Sequence, residues 1–394
     1  MPDSPNTATL PSRRQTISAL SLGAVGLLIP GLQPLLLGEL VAHHRITLTG
    51  VGLVAMGEII TLGLGVIAGN TFLSPARLPA ITGVTAALLS LVDLLTLRLD
   101  GDVPFTAVRA LAGLLEGILV WITTSVIVRT RAPDRLAAIF LASQTLAQAV
   151  VAALLASVVI PNGGWPAGFA VLAVLSGALI ALAPSLRPGL RPLQSEDATP
   201  PLRSPATGFT FAIVLTQMAS IGALWAYLDP LGRTIGLTAP QVGILISAVL
   251  ALQVIGGSTA AAVVRRLPTT AILLATSLLV AGITTALHAQ PPALLFCALC
   301  GLFGFIWLFR MPFHVRLAFA ADPAGRVAVL VPALQLLGSA FGPLLAAVLF
   351  VTDDDAHSVP LICAAFEIIA LVLLLAGRHL FTRPGRNSTL GEPS

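Results

Sequence analysis

Arg109 and Glu116 lie seven positions apart inside one apolar stretch. Seven residues of an α-helix turn through about 700°, so both side chains lie on one face, about 10.5 Å apart along the axis. Arginine offers a forked cation for a carboxylate or a phosphate. A glutamate withdrawn from water favours its protonated form and can exchange a proton. The pair therefore predicts anion binding by Arg109 and proton exchange by Glu116, with a purely structural charge cluster as the alternative.

Four more ionisable residues fall inside apolar stretches, where each needs a reason to be present. Glu58 is predicted to be a second proton site or a polar contact between domains. Arg310 is predicted to be a second anion contact, a gate residue or an anchor that reaches the membrane surface. Asp93 is expected to reach the surface or to pair with Arg98. For Glu367 the sequence suggests no partner.

A set of uncharged polar and aromatic residues accompanies these charges: Gln144, Gln217, Gln335, Tyr227 and Trp307. Each glutamine is also explained by an interhelical hydrogen bond, worth about 0.6 to 2 kcal/mol. As a set, they predict a cavity that orients a small molecule, with Trp307 as its aromatic wall.

The composition predicts that lipid surrounds the elements carrying these residues. The chain has 394 residues, of which 56% are hydrophobic and 10% charged, and its mean hydropathy is +0.96. Soluble domains carry about 25% charged residues. All 21 basic residues are arginines in short loops or apolar runs, without interleaved aromatics, which argues against a nucleic-acid partner. No nucleophile–base pair, phosphate loop or metal-ligand spacing is present, so neither an enzyme nor a cofactor or metal is expected.

Twelve apolar runs are long enough to cross a bilayer, which takes about 20 residues of helix. They lack the alternation of a barrel strand, so the predicted fold class is an all-α integral membrane protein. The predicted spans are 16–37, 49–70, 79–97, 104–128, 136–160 and 166–184, followed by 208–228, 240–263, 269–288, 292–315, 327–351 and 359–381.

The arginines predict the orientation. Sixteen fall on the side of the two termini and three on the opposite side, so both termini are predicted to be cytoplasmic in a multi-pass protein of the cell inner (plasma) membrane. The predicted organisation is a tail (1–15), a six-helix bundle (16–184), a Pro/Arg-rich cytoplasmic linker (185–207), a second six-helix bundle (208–381) and a second tail (382–394).

The two bundles resemble each other when the sequence is shifted by 191 residues. Pairs matched at this offset are Gly52 with Gly243, Arg135 with Arg326 and Gln144 with Gln335. Two parallel six-helix repeats joined by a linker resemble the major facilitator superfamily. That resemblance implies two pseudo-symmetric halves with a small-molecule substrate bound between them near the midplane.

The fourth span carries a more specific resemblance. Residues 109–117 read R-x-x-x-G-x-x-E-G, which resembles the fourth span of the anion:cation symporter family. The resemblance implies an anion-binding role for Arg109 and a proton-coupling role for Glu116. Members of that family often carry a charge in the first span, whereas the predicted span 16–37 has none.

The leading hypothesis is a secondary active transporter that moves a small organic anion by alternating access, as a monomer in the lipid bilayer, by symport with H⁺ or Na⁺. A proton-coupled exporter of drugs or metabolites is the first alternative. Such exporters typically carry G-x-x-x-G-P in span 5, whereas here that pattern falls at 338–343 in span 11. A non-transporting receptor or assembly partner is the second alternative, and the buried charges argue against it.

Overall fold

The computed structural model describes residues 10–186, 204–323, 325–349 and 356–381. Every regular element in these ranges is a helix. Most of the predicted linker, most of both predicted tails and the acidic run at 353–355 lie outside the described residues.

The first half of the described chain, called the N-half below, contains seven α-helices. They are α1 (Arg13–Gly26), α2 (Leu28–Ala42), α3 (Leu48–Phe72), α4 (Leu78–Thr96), α5 (Asp102–Ile127), α6 (Pro133–Leu154) and α7 (Ile160–Ala178). A π-helical turn at Leu155–Val159 joins α6 to α7, and a 3₁₀ segment at Leu179–Ser185 extends α7.

The second half, called the C-half, repeats this arrangement. Its helices are α8 (Pro205–Ala226), α9 (Leu228–Thr234), α10 (Ala239–Val263), α11 (Thr269–His288), α12 (Ala293–Ala321), α13 (Val331–Leu349) and α14 (Val359–Phe381). Helices α8 and α9 form one broken span, as α1 and α2 do in the N-half.

Eleven helical stretches of the described chain are long and apolar enough to cross a membrane. The longest, Arg135–Ser185, has 51 residues and therefore extends for about 77 Å, more than twice the thickness of the hydrocarbon layer. Gly164, at φ 64°, breaks this stretch in two. A positive φ favours glycine because it has no Cβ. The described part of the chain thus makes twelve crossings, which confirms the predicted all-α fold class of two six-helix halves.

Two observed spans are longer than predicted, because charged residues at their ends have partners. The first continues to Ala42 and includes Glu39, which pairs with Arg233. The tenth continues to Ala321 and includes Arg316, which donates to the carbonyl oxygen of Leu267 at 2.9 Å. A charge that is neutralised or hydrogen-bonded does not need to end a buried helix.

Side-chain caps begin several of these helices. The hydroxyl groups of Ser12, Thr47 and Ser204 accept hydrogen bonds from backbone N–H groups in the first turns of α1, α3 and α8, at 3.0 to 3.2 Å. Such caps satisfy N–H groups that have no partner within the helix. The cap at Thr47 also fixes a loop, because its hydroxyl donates to Asp102 at 2.6 Å.

Because twelve crossings return the chain to its starting side, Arg13 and Phe381 lie at one end of the bundle, which we call the terminal end. At the opposite end of the bundle, which we call the far end, the two halves contact each other. The indole N–H of Trp225 donates to the carbonyl oxygen of Pro30 at 2.7 Å. The hydroxyl of Tyr227 donates to the carbonyl oxygen of Leu48 at 3.0 Å. The largest buried apolar cluster includes residues of both halves.

Candidate functional site

Arg109 of α5 lies at the centre of a buried charge cluster that we call the N-cluster: Arg109, Glu58, Asp93 and Glu116. All four side chains are only 1% to 3% exposed. The guanidinium donates from Nε to Glu58 Oε1 at 2.7 Å and from Nη1 to Asp93 Oδ1 at 2.7 Å. Its Nη2 donates to Glu116 Oε1 at 3.2 Å and also to Glu58. Each nitrogen of the guanidinium therefore already serves a carboxylate.

The three carboxylates of the N-cluster differ in how well they are stabilised. Besides Arg109, Glu58 accepts from the amide of Gln33 at 3.4 Å, and Asp93 accepts from the hydroxyl of Ser176 at 3.1 Å. Glu116 has only its 3.2 Å contact, and its Oε2 has no hydrogen-bond partner among the described residues. Glu116 is thus the carboxylate with the least support for a negative charge.

Close packing of α3 against α5 brings the N-cluster together. A Cβ added at Gly113 would overlap the carbonyl oxygen of Glu58, and one added at Gly117 would overlap that of Leu62. Helices with small residues at their contact approach closely. The two glycines of the R-x-x-x-G-x-x-E-G motif therefore allow Glu58 to reach Arg109.

The C-half buries a second arginine on α12, the helix that occupies the place of α5. Arg310 donates from Nη1 to Glu367 Oε1 on α14 at 2.8 Å, and both side chains are 0% exposed. We call this ion pair the C-pair. Its Arg310 Nε, Arg310 Nη2 and Glu367 Oε2 atoms have no hydrogen-bond partner in the described chain.

A chain of neutral polar groups runs beside the C-pair. His314, one turn beyond Arg310 and fully buried, has Nε2 at 2.7 Å from Gln217 Oε1 and Nδ1 at 3.2 Å from Gln335 Nε2. Gln217 also donates to the hydroxyl of Ser277 at 2.7 Å. One imidazole nitrogen thus faces an acceptor and the other a donor, the pattern of a neutral histidine.

The structure brings together most of the residues singled out in the sequence. Arg109, Glu116 and Glu58 meet in the N-cluster, while Gln217 and Gln335 meet at His314 beside Arg310. Trp307 is partly exposed and packs edge-on against Trp225 with ring centroids 5.5 Å apart.

Two residues of the predicted cavity lie apart from these groups. Tyr227 is fully buried and holds the far end closed by its bond to Leu48. The amide of Gln144 donates to the neighbouring Thr145 at 2.7 Å.

Two expectations about buried charges were wrong, the one for Asp93 and the anchor alternative for Arg310, and Glu367 has a partner that the sequence did not suggest. Asp93 neither reaches the surface nor pairs with Arg98, because Arg109 lies 2.7 Å away. Arg310 is not an anchor near the surface, because α12 continues for eleven residues beyond it and buries it completely. Glu367 has a partner, which is Arg310.

The prediction that Arg109 offers a free fork to an anion needs a correction as well. In this conformation its three nitrogens donate to Glu58, Asp93 and Glu116. A substrate anion would have to displace one of these carboxylates. Within the described residues no group of histidine, cysteine and acidic side chains has the geometry of a metal site. Among the four side chains of the N-cluster, the Arg109 guanidinium is the cation.

A further charge cluster, which the sequence analysis missed, joins the two halves at the far end. Arg233 of α9 donates to Glu39 of α2 at 2.6 Å and to Asp229 at 2.7 Å. A Cβ added at Gly38 would overlap the Asp229 carboxylate, so glycine is needed for this approach. The sequence contains a signal of this contact, because Gly38 and Asp229 lie 191 residues apart, which is the offset of the repeat.

No family model matches the sequence, and none of the curated proteins does. Several solved structures are nevertheless similar over nearly the whole chain. A point-mutant form of the nucleoside transporter NupG is 13% identical with a TM-score of 0.73, covering 93% of this chain and all of that one. The xylose transporter XylE from E. coli, described as partially occluded inward open, is 13% identical with a TM-score of 0.67, covering 92% and 99%.

A third similar structure is a bacterial homologue of the human lysosomal transporter Spinster in an inward-facing, unoccupied conformation. It is 10% identical with a TM-score of 0.65, covering 94% of this chain and 96% of that one. At such low identity these likenesses establish the fold and nothing finer. The chain has the fold of the major facilitator transporters.

Proposed function

We propose that the chain is a secondary active transporter that moves a small organic solute across a membrane by alternating access, driven by protons that bind the N-cluster. The observation that carries this proposal is the surplus of buried carboxylates over buried cations in the N-cluster. Three carboxylates surround one guanidinium at 1% to 3% exposure.

This surplus requires protons. With all three carboxylates ionised, the N-cluster would hold a net charge of −2 in the interior of a membrane bundle. Each isolated buried charge costs roughly several kcal/mol, even after relaxation of the surroundings. Protonation removes the surplus charge without moving a helix. A cluster that must hold protons when closed and can release them when hydrated is suited to proton coupling.

Glu116 is the proposed coupling residue. It receives one long hydrogen bond from Arg109, whereas Glu58 and Asp93 each receive a shorter bond from Arg109 and a second donor. The proton therefore resides first on Glu116. Glu58, which holds the Nε and Nη2 edge of Arg109, is the second candidate.

The contacts at the far end support alternating access. Arg233, Glu39 and Asp229 bridge the halves there, as do Trp225 and Tyr227. Each is a discrete polar bond that can break while the halves stay intact. Two of the similar structures are in an inward-facing or a partially occluded inward open conformation. A closed far end corresponds to that state if the terminal end faces the cytoplasm.

The test is a matched pair of variants, Glu116→Gln and Glu116→Asp, in proteoliposomes. Uptake of labelled xylose, uridine, lactate and gluconate is measured with and without a pH gradient. A solute that wild type accumulates should still exchange across the membrane in Glu116→Gln, but the gradient should no longer drive its accumulation. Glu116→Asp keeps an acid and should retain part of the drive. Full proton-driven accumulation in Glu116→Gln would rule out Glu116 as the coupling residue.

We further propose that both termini face the cytoplasm in the cell inner membrane, on the basis of the arginine distribution. Single cysteines replace Asp354 and Ser195 in a background without Cys297, Cys300 and Cys363. A membrane-impermeant thiol reagent added to right-side-out vesicles should label position 354 and leave 195 unlabelled. Labelling of position 195 and not of position 354 would mean that the topology is the inverse of the one proposed.

A further inference from the structure

One edge of the Arg310 guanidinium is buried without a partner. Nη1 donates to Glu367, whereas Nε and Nη2, which lie side by side on the other edge, have no acceptor among the described residues. In the N-cluster the same two nitrogens of Arg109 both donate to Glu58. The C-half therefore buries a cation on the corresponding helix, but no described residue supplies it with a second carboxylate.

A neighbouring group on α12 also has an unused donor. The indole N–H of Trp307, one turn earlier on this helix, has no hydrogen-bond partner in the described chain. A buried donor without an acceptor is unfavourable. An acceptor-bearing ligand would satisfy these groups, as Glu58 satisfies Arg109.

The edge lies within reach of the junction between the halves. Trp307 is partly exposed and packs against Trp225, which donates to Pro30 of the N-half. Residues three apart on a helix are neighbours on one face, so Arg310 lies next to Trp307. Gln335, also partly exposed, leads through His314 to the same region. In this fold, substrates bind between the halves near the midplane.

We propose that the Nε and Nη2 edge of Arg310 binds a carboxylate group of the transported solute. This inference rests on the transport function proposed above and names its substrate class, a small organic carboxylate. Parallel N–H groups of a guanidinium match the two oxygens of a carboxylate in a bidentate contact, which lysine cannot reproduce.

Charge balance adds a consequence. Arg310 and Glu367 neutralise each other, so a bound carboxylate brings one surplus negative charge into the C-half. A proton taken from water onto Glu367 restores neutrality, and its Oε2 has no partner among the described residues. The solute then replaces Glu367 as the counter-ion of Arg310.

The other groups near Glu367 do not provide this proton site. His314 lies on α12 and Cys363 on α14, while α8 and α11 contribute the uncharged Gln217, Ser220 and Ser277. His314 is already held by two glutamines. Carboxylate binding is therefore expected to take up one proton at Glu367.

The experiment measures equilibrium binding to the purified full-length protein in detergent, without any gradient. The probes are lactate, gluconate and benzoate, each paired with its uncharged amide. At least one carboxylate should raise the melting temperature while its amide does not. Its affinity should weaken by up to about tenfold for each unit of rising pH, because one proton is bound with it.

The variants distinguish loss of the binding site from general effects on folding. Arg310→Gln combined with Glu367→Gln keeps a neutral hydrogen-bonded pair and should weaken carboxylate binding by about thirtyfold or more. Glu367→Gln alone should keep binding and lose its dependence on pH. Arg316→Gln removes an arginine of the same helix, which donates to backbone carbonyl groups, and should bind as wild type does.

Three results would overturn the proposal: amides that bind as well as the carboxylates, a double variant with wild-type affinity, or no stabilisation by any of the three carboxylates. Since the binding assay involves no proton gradient, its outcome is independent of the Glu116→Gln transport test. Proton coupling could thus fail while carboxylate binding holds, or the reverse.

Discussion

The two halves of the chain each bury an arginine on corresponding helices, α5 and α12, but they surround it differently. Among the described residues, Arg109 pairs with three carboxylates, whereas Arg310 pairs with one. Ser176 and Glu367 lie 191 residues apart, at the repeat offset. One repeat position thus supplies a hydroxyl for Asp93 in the N-half and the counter-ion of the arginine in the C-half.

The difference shows that one bundle can be repeated with two different arrangements of buried charge. The N-cluster has a surplus of acceptors and negative charge, which suits it to hold protons. The C-pair is balanced in charge but has N–H donors that no described residue uses, which suits it to a ligand that accepts hydrogen bonds. A change in a few side chains is sufficient, because both halves keep the same helix packing.

The largest expected effect separates the two arginines. Arg109→Gln removes hydrogen bonds from three buried carboxylates and should lower the stability of the protein by about 3 to 5 kcal/mol, the usual cost of breaking a buried ion pair. Arg310→Gln strands a single carboxylate and should cost less. Thermal unfolding in detergent measures both. Equal losses in the two variants would mean that the carboxylate surplus has no energetic consequence.

A second comparison tests whether the packing of the two halves is equivalent. Gly113 on α5 meets the carbonyl oxygen of Glu58, and Gly256 on α10 meets that of Phe305, each too closely for a Cβ. Gly113→Ala and Gly256→Ala should each cost about 1 to 3 kcal/mol by overpacking. Gly63 on α3 has no atom within 4 Å of an added Cβ, so Gly63→Ala is the control. Loss of stability in the control alone would contradict the packing described here.

A smaller effect is expected from Ser176→Ala. The hydroxyl donates to Asp93 at 3.1 Å, and its loss should cost about 1 kcal/mol. Asp93 should then share the N-cluster protons more readily. Proton-driven uptake, measured against pH, should shift in this variant and stay unchanged in Ser21→Ala, whose hydroxyl bonds only within α1 at 3.1 Å. Identical profiles would remove Ser176 from the cluster.

The smallest signal is a single infrared band. The N-cluster should show the C=O stretch of protonated carboxylic acids at neutral pH, and Glu116→Gln should weaken this band, because one protonated carboxyl group is lost and the remaining surplus carboxylate stays protonated. Glu367→Gln should leave that band and remove an ionised carboxylate instead, because Arg310 balances Glu367 without a proton. A protonated band that weakens in Glu367→Gln and not in Glu116→Gln would reverse the comparison.

Much of the architecture followed from local sequence. Apolar run length predicted the spans to within a few residues in most cases, because a helix in lipid must satisfy its own backbone hydrogen bonds. The predictions stopped early at Glu39 and before Arg316, since composition alone cannot show that a charge has a partner on another helix.

The candidate site was only partly predictable. Helix geometry placed Arg109 and Glu116 on one face, and the structure brings them to 3.2 Å. Asp93 was misassigned because its partner lies on a neighbouring helix, 16 residues away. The link from Arg310 on α12 to Glu367 on α14 spans 57 residues, with α13 between the two helices. No local pattern encodes such distances.

The sequence by itself determined that the chain crosses a membrane twelve times in two related halves, because bilayer thickness and backbone hydrogen bonding act on each segment separately. Only the tertiary structure decided which charges meet. Packing of α3 on α5 through Gly113 and Gly117 delivers Glu58 to Arg109, and packing of α14 beside α12 delivers Glu367 to Arg310. Those pairings depend on side-chain volumes at helix contacts. They surround Arg109 with three carboxylates and leave one edge of Arg310 without a partner among the described residues.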